Sequence, residues 1–226
     1  MLDRPIWSAL STLQMGLSLG GPMARRYVKD INLFASAADD SALALAALAD
    51  LVQPGERVFV LQVPDIVVPN GLVSAKAVAK GVQMVATRRI QALSSEEDLL
   101  ELTDADAPEM LALAKLTEPG PFLTRTHVMG RFLGIRIDGR LAAMAGERFR
   151  FPGHTEVSGV CTHPDFRHRG LARRLSAAVA AHIESRGDRP ILHAWKTNRP
   201  AISLYESLGF EIRAEVDVKV LERAPT

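Results

Sequence analysis

Apolar positions along residues 171–186 fall on one helical face. Leu171, Leu175, Ala178, Val179, His182 and Ile183 lie at i, i+4, i+7, i+8, i+11 and i+12, so an amphipathic helix is predicted, with Gly187 as its C′ residue. Ahead of it the pattern changes to strands. Arg131–Ile137 and Arg140–Phe149 flank Asp138-Gly139, a two-residue loop whose members tolerate the positive φ of a type I′ turn, so a β-hairpin is predicted. Pro152-Gly153 ends its second strand, and Glu156–Thr162 reads as a third. Val82–Ile90 and Pro190–Trp195 read as further strands, and Phe210–Val220 as one or two more. A helix is expected from Asp106 to about Thr117, with Asp106 as N-cap and Glu109 as its reciprocal partner, stopped by Pro119-Gly120-Pro121. Ala201–Leu208 predicts a short helix closed by Gly209. From residue 81 onward the order is therefore β-α-β-β-β-α-β-α-β, an α/β fold.

The first 80 residues carry weaker signals. Asp39–Val52 is Ala/Leu-rich, with Asp39 or Asp40 as N-cap and Pro54-Gly55 as the stop. Arg57–Val63 reads as a strand by its β-branched and aromatic content. Gly16, Gly20 and Gly21 follow no strand, so they match neither a dinucleotide fingerprint nor a phosphate loop.

Length and composition narrow the class. At 226 residues the chain makes one large domain or two small ones, and 47% hydrophobic with 23% charged residues is globular usage. Its single cysteine, Cys161, excludes an intrachain disulfide and a Cys-rich zinc site. No run approaches the roughly 18 to 20 apolar residues that span a bilayer, and the first residues lack a basic leader pattern. A cytoplasmic protein without membrane contact is expected. A net charge of +1 argues against a dedicated nucleic-acid binder.

That near-neutral balance hides a local concentration of charge. The junction between the Glu156–Thr162 strand and the Leu171 helix reads Arg167-His168-Arg169-Gly170-Leu171-Ala172, followed by Arg173 and Arg174. A helix N-terminus presents unpaired N–H groups and the positive end of the macrodipole, which suits an anion. Gly170 leaves the backbone open to close approach. Cations at this end oppose the dipole, and a bound polyanion reverses that penalty. Downstream stand Asn198, Ala201, Tyr205 and Gly209-Phe210 in fixed spacing.

Arg-x-x-Gly-x-Ala after a strand and before an amphipathic helix resembles the pyrophosphate loop of the GNAT N-acetyltransferase superfamily. The Asn198–Phe210 spacing resembles that family's second cofactor motif. The resemblance covers about Val82 to Arg223. Glu156–Pro164 with Phe166-Arg167 is most similar to the branch named for its Phe-Arg element.

The resemblance implies a mostly antiparallel mixed sheet flanked by helices, and an acetyl-CoA-dependent N-acyltransferase acting on a small-molecule or peptide amine in a ternary complex. No metal and no nucleic acid are expected. Val160, Cys161 and Thr162 would lend backbone groups to the pantetheine arm and acetyl carbonyl, with the Val160 N–H at the oxyanion. His168, Arg169, Gly170, Leu171 and Ala172 would hold the pyrophosphate, flanked by Arg167 and Arg173. Asn198 would bond the pantetheine, or cap the next helix, or both. Tyr205 would protonate the leaving thiolate, which suits a phenol of reference pKa about 10. Glu156 is the candidate general base, directly or through water; the alternative is an ordinary salt-bridged carboxylate.

Other readings stay beside this one. A catalytically weak acyl-CoA-binding regulator would keep the loop without an acceptor site. A nucleic-acid module would use Arg167–Arg174 on phosphates. Cys161 and His163, two apart on a strand, would share a face, but no third group orients them as a nucleophilic pair. Trp195 is expected in the core or a pocket wall. The acceptor would meet variable segments, Leu116–His127 and Phe149–His154. A catalytic unit of residues 81–226 leaves residues 1–80 as a small α/β extension. That extension is read as a vestigial GNAT-like half that lengthens the sheet, a wall of the acceptor site, or a dimerisation element giving a homodimer. The strand–helix–strand pattern from Arg26 to Val63 favours the first.

Overall fold

The computed structural model describes residues 1–63, 65–74, 79–91 and 98–223. Helix α1 (Pro5–Leu10) leads into a small antiparallel sheet of β1 (Ser18–Gly20), β2 (Ala24–Tyr27) and β3 (Ala35–Ala37), then α2 (Ala42–Asp50). The main run continues with β4 (Arg57–Gln62), β5 (Val73–Ser74), β6 (Ala79–Ala86), β7 (Leu100–Leu102), α3 (Ala107–Thr117), β8 (Phe132–Ile137), β9 (Arg140–Phe151) and β10 (His154–Thr162). It closes with α4 (Leu171–Ser185), β11 (Arg189–Trp195), α5 (Arg199–Leu208) and β12 (Phe210–Glu222).

Among the described residues one large sheet runs β4-β12-β6-β11-β10-β9-β8-β7, with β5 pairing β12. Only β10 and β11 pair in parallel; every other registered pair of this sheet is antiparallel. The fold is thus the mixed, mostly antiparallel α/β sheet with helical flanks that the sequence predicts. The segment before residue 80 shares this sheet, because β4 pairs β12 from Gln62 to Arg57.

The elements follow their local chemistry. Leu175, Val179 and Ile183 of α4 are buried against the sheet, each contributing roughly 1.5–3 kcal/mol. The β8–β9 turn has positive φ at Asp138 and Gly139, as predicted. Several details differ, among them the strand expected over Val82–Ile90, which runs from Ala79 to Ala86. Helix α2 is capped by Ser41, whose hydroxyl accepts from the Ala44 N–H, rather than by Asp39 or Asp40; Asp39 instead accepts from the Ser41 N–H. The capping box before α3 joins Thr103 to Asp106, and Glu109 turns outward to the Leu141 N–H and Arg136. Phe210–Glu222 is one strand, bulged near Arg213. Helix α1 and β1–β3 carried no clear signal, being short.

One core lies under α4 and α5. A second, on the opposite face, joins Ile6 and Leu10 of α1 and Phe34 to Phe149, Ile191 and Val216. No helix among the described residues is long and apolar enough to cross a membrane.

Candidate active site

Strands β10 and β11 pair only from His154 to Glu156 against Arg189 to Ile191. Beyond that point they part, and the split opens a cavity of about 720 Å³, within the usual range for a small-molecule site. It extends from the start of α4, past Tyr205, to Phe34, Phe59, Arg148 and Val218.

Strand β10 is bulged where it borders the split. Its register against β9 slips between Ser158 and Cys161, so β10 carries one residue in excess there. Gly159 sits at φ +62, and a Cβ there would stand 2.9 Å from the Phe132 ring, so both the backbone angle and the packing require glycine. Gly159 and Val160 thus have no registered partner on β9, while β11 has already diverged. Both residues border the cavity.

The start of α4 is uncapped by any side chain. Gly170 is the N-cap at φ +73, and His168 is also left-handed at φ +62. The first-turn N–H groups are therefore free to meet an anion. Arg167, His168, Gly170, Leu171, Ala172 and Arg173 all border the cavity. Arg167 and Arg173 are exposed and make no ion pair with any described residue. Arg169 lies over the Phe166 ring at 5.4 Å, and Arg174 pairs with Asp98.

Asn198 caps α5, its side-chain oxygen accepting from the Ala201 N–H at 3.3 Å, and it borders the cavity. Tyr205 is buried in the cavity wall. Burial, with a smaller contribution from the Glu156 charge, pushes its phenol up to about 12.

Glu156 stands at the last paired position before the split, fully buried. Its carboxylate accepts from Arg148 Nε at 2.7 Å and Nη2 at 2.6 Å, from the Phe149 N–H at 3.3 Å, and lies 2.6 Å from His193 Nδ1. Burial alone would raise its pKa, but Arg148 and His193 overcome that and hold it at about 2. Of the two alternatives carried from the sequence, this is the geometry of the salt-bridged carboxylate. His193 Nε2 lies 3.0 Å from Gln83 Nε2, and that amide also donates to the Leu2 carbonyl.

Cys161 and His163 do not form a couple. The Cys161 side chain packs with Met110 and Leu113 of α3, and burial pushes its thiol up to about 11. His163 Nδ1 instead accepts from the Asp165 N–H, and its Nε2 lies 2.9 Å from Arg140. Thr162 keeps a buried hydroxyl without a partner among the described residues. No group of three or more His, Cys, Asp or Glu among them could hold a metal ion.

Of the two segments expected at the acceptor, Thr117–Pro121 borders the cavity, whereas Phe149–His154 does not. Phe149 and Phe151 remain in β9 and point into the second core. Arg148, His193, Phe34 and Phe59 border the cavity without having been anticipated. A charged residue in an apolar strand was the available signal for Arg148. Trp195 is a half-exposed wall residue.

Comparison with known proteins follows this geometry. Residues 132–218 match the family described as FR47-like protein. A putative acetyltransferase of the GNAT family from Novosphingobium aromaticivorans aligns at a TM-score of 0.91 and 40% identity, over 99% of this chain and 98% of that one. The [ribosomal protein bS18]-alanine N-acetyltransferase of Salmonella typhimurium is 36% identical over 115 residues, 48% of this chain and 77% of that protein. The mycothiol acetyltransferase of Thermobispora bispora is 47% identical over 64 residues, and that stretch spans only 21% of its length.

Proposed function

This chain belongs to the GNAT family of acetyltransferases, and on that premise we propose that it moves an acetyl group from acetyl-CoA to a primary amine by direct attack in a ternary complex. The observation that carries this reading is the single cavity running from an uncapped, arginine-flanked helix start, past a buried phenol, to a chamber on the far side of the split sheet. The residues present suit the cosubstrate. The N–H groups of the uncapped helix start, with Arg167 and Arg173, which have no ion pair among the described residues, match a diphosphate, and the unregistered backbone at Gly159–Val160 matches a thioester carbonyl and an amide-bearing arm.

Bound acetyl-CoA supplies an activated thioester carbonyl; the protein supplies position and proton control. The N–H groups of His168 to Ala172 hold the diphosphate. The Val160 N–H donates to the carbonyl oxygen, where preorganised donors act most strongly as negative charge develops. Cys161 and Thr162 contribute backbone groups to the arm. The Asn198 oxygen is engaged in the cap, which leaves its amide N–H₂ to donate to the ligand.

Tyr205 stays protonated at neutral pH and gives its proton to the leaving sulfur. Glu156, held at about 2 with both oxygens bonded, is a very weak base. Its role is to anchor Arg148 and His193, and the attacking amine loses its proton to water. Positioning two reactants then provides most of the acceleration. Residues 1–80 wall the acceptor chamber through Phe34, Phe59 and Leu61.

The test is thiol release from acetyl-CoA across a panel of amines. Amine-dependent release is expected. Cosubstrate binding without release across the panel would favour the regulatory reading, and salt-sensitive nucleic-acid affinity without cosubstrate binding would overturn both.

A further inference from the structure

The chamber on the far side of the split holds an unusual cation. Arg148 has a side chain only 11% exposed, yet it borders the cavity. Its guanidinium lies against two rings that meet edge to face at 5.1 Å, 4.9 Å from the centre of Phe34 and 4.5 Å from that of Phe149. The Nε–Nη2 edge is committed to Glu156. Nη1 has no hydrogen-bond partner among the described residues. It faces the Gly120 segment of the cavity wall, where a Cβ on Gly120 would stand 3.9 Å from it. A guanidinium carries five donors, so a nearly buried one with an idle edge is prepared to bond something that enters.

The surroundings select what enters. Glu156 itself does not border the cavity; the one acidic side chain that does, among the described residues, is the exposed Glu118. The Arg148 donors lie at the chamber end and Arg167 and Arg173 at the helix end, so both ends of the cavity offer donors to anionic groups. The rest of the chamber wall is apolar, formed by Phe34, Phe59, Leu61, Val216 and Val218. A polycation finds no counter-charge there, and a plain alkylamine leaves the Arg148 donors unmatched.

We propose that the acceptor is an amino acid with an apolar side chain, its carboxylate bonded by the free edge of Arg148 and its side chain packed on Phe34 and Phe59. The inference rests on the acetyl-transfer reading of the same cavity. The two rings it lies against and the paired bonds to Glu156 hold the fork, so the carboxylate meets donors already oriented. Glu156 keeps the fork in place from the opposite edge.

The experiment compares phenylalanine with phenethylamine, which keeps the ring and amine and lacks the carboxylate. Calorimetry measures binding of each to the protein saturated with CoA, and thiol release measures kcat/KM with acetyl-CoA. In the wild type phenylalanine is expected to bind, and to react, at least tenfold better, the scale of one charge-assisted hydrogen bond. The variant Arg148→Met combined with Glu156→Gln removes both charges together, so neither is left buried alone, and the ratio falls to about one. Arg148→Lys keeps the charge and loses the fork, and also narrows the ratio, which serves if the double variant does not fold. Equal or better binding of phenethylamine by the wild type overturns the inference, and so does a tenfold ratio that survives in the variants. Release with phenethylamine but not phenylalanine sinks the amino-acid assignment and leaves acetyl transfer standing. Absence of release with every amine defeats the acetyl-transfer reading, and the calorimetric ratio still decides the carboxylate.

Discussion

Replacing Glu156 by Gln separates an anchor from a base. The carboxyl falls from an ordinary 4.5 to about 2 because Arg148 and His193 outweigh the opposing effect of burial. That difference corresponds to about 3 kcal/mol of folding stability at neutral pH. The sign follows from the lowered folded-state value. The stabilisation is fully present above pH 4.5, where the unfolded carboxyl is ionised, and is lost as pH falls through about 2. A separate route gives the same scale, since breaking a buried ion pair from one side costs roughly 3–5 kcal/mol. For a chain of this size, about 3 kcal/mol lowers the melting temperature by roughly 6–12 °C. Urea unfolding at pH 7 and pH 3, with the two proteins side by side, measures it. The gap should be several kcal/mol at pH 7 and less than half of that at pH 3. An unchanged unfolding midpoint, together with loss of the acid limb of the rate profile, would refute the anchor role and restore Glu156 as the base.

The other predictions concern the cavity more directly. Gly170→Glu sets a carboxylate at the start of α4 and should weaken CoA binding at least tenfold by calorimetry, whereas Gly170→Asn, which tolerates the left-handed backbone, should bind more nearly as the wild type does. Tyr205→Phe should lower kcat about a hundredfold while sparing CoA affinity and the melting temperature; wild-type turnover would remove Tyr205 as the acid. With a phenol held at about 12 and a carboxyl at about 2, neither group titrates near neutrality. The rate should therefore rise with pH through the acceptor amine's own pKa and show no falling limb below about pH 10, which a stopped thiol assay across pH reads out. A plateau near pH 5 with every acceptor would point to a protein base.

The end of the cavity at the start of α4 was legible in the chain because its parts are local. Arg167 to Arg173 form one loop and helix start, and Asn198 and Tyr205 share α5, so sequence spacing alone sets their relation. The chamber end was not legible, because it is assembled from distant segments. Phe34 and Phe59 reach the cavity through the joining of β4 to β12, a pairing between residues 57–62 and 217–222 that no local pattern declares. Glu156 was singled out, but its meaning depended on Arg148 across the β9–β10 turn. Phe151 pairs with His154, and a bulge in β9, which sets Arg148 and Phe149 against the single Glu156, brings the Arg148 and Glu156 side chains together. Pro152-Gly153 marked that turn in the sequence, but the β9 bulge that sets the register did not show. Short elements such as α1 and β1–β3 carry too few residues for a period to emerge.

The most direct test is a crystal structure of the protein with CoA bound. The account predicts the diphosphate on the N–H groups of residues 168–172, the arm between the parted strands β10 and β11, and the sulfur within hydrogen-bond reach of the Tyr205 hydroxyl. CoA seated elsewhere, or a sulfur remote from Tyr205, would contradict it.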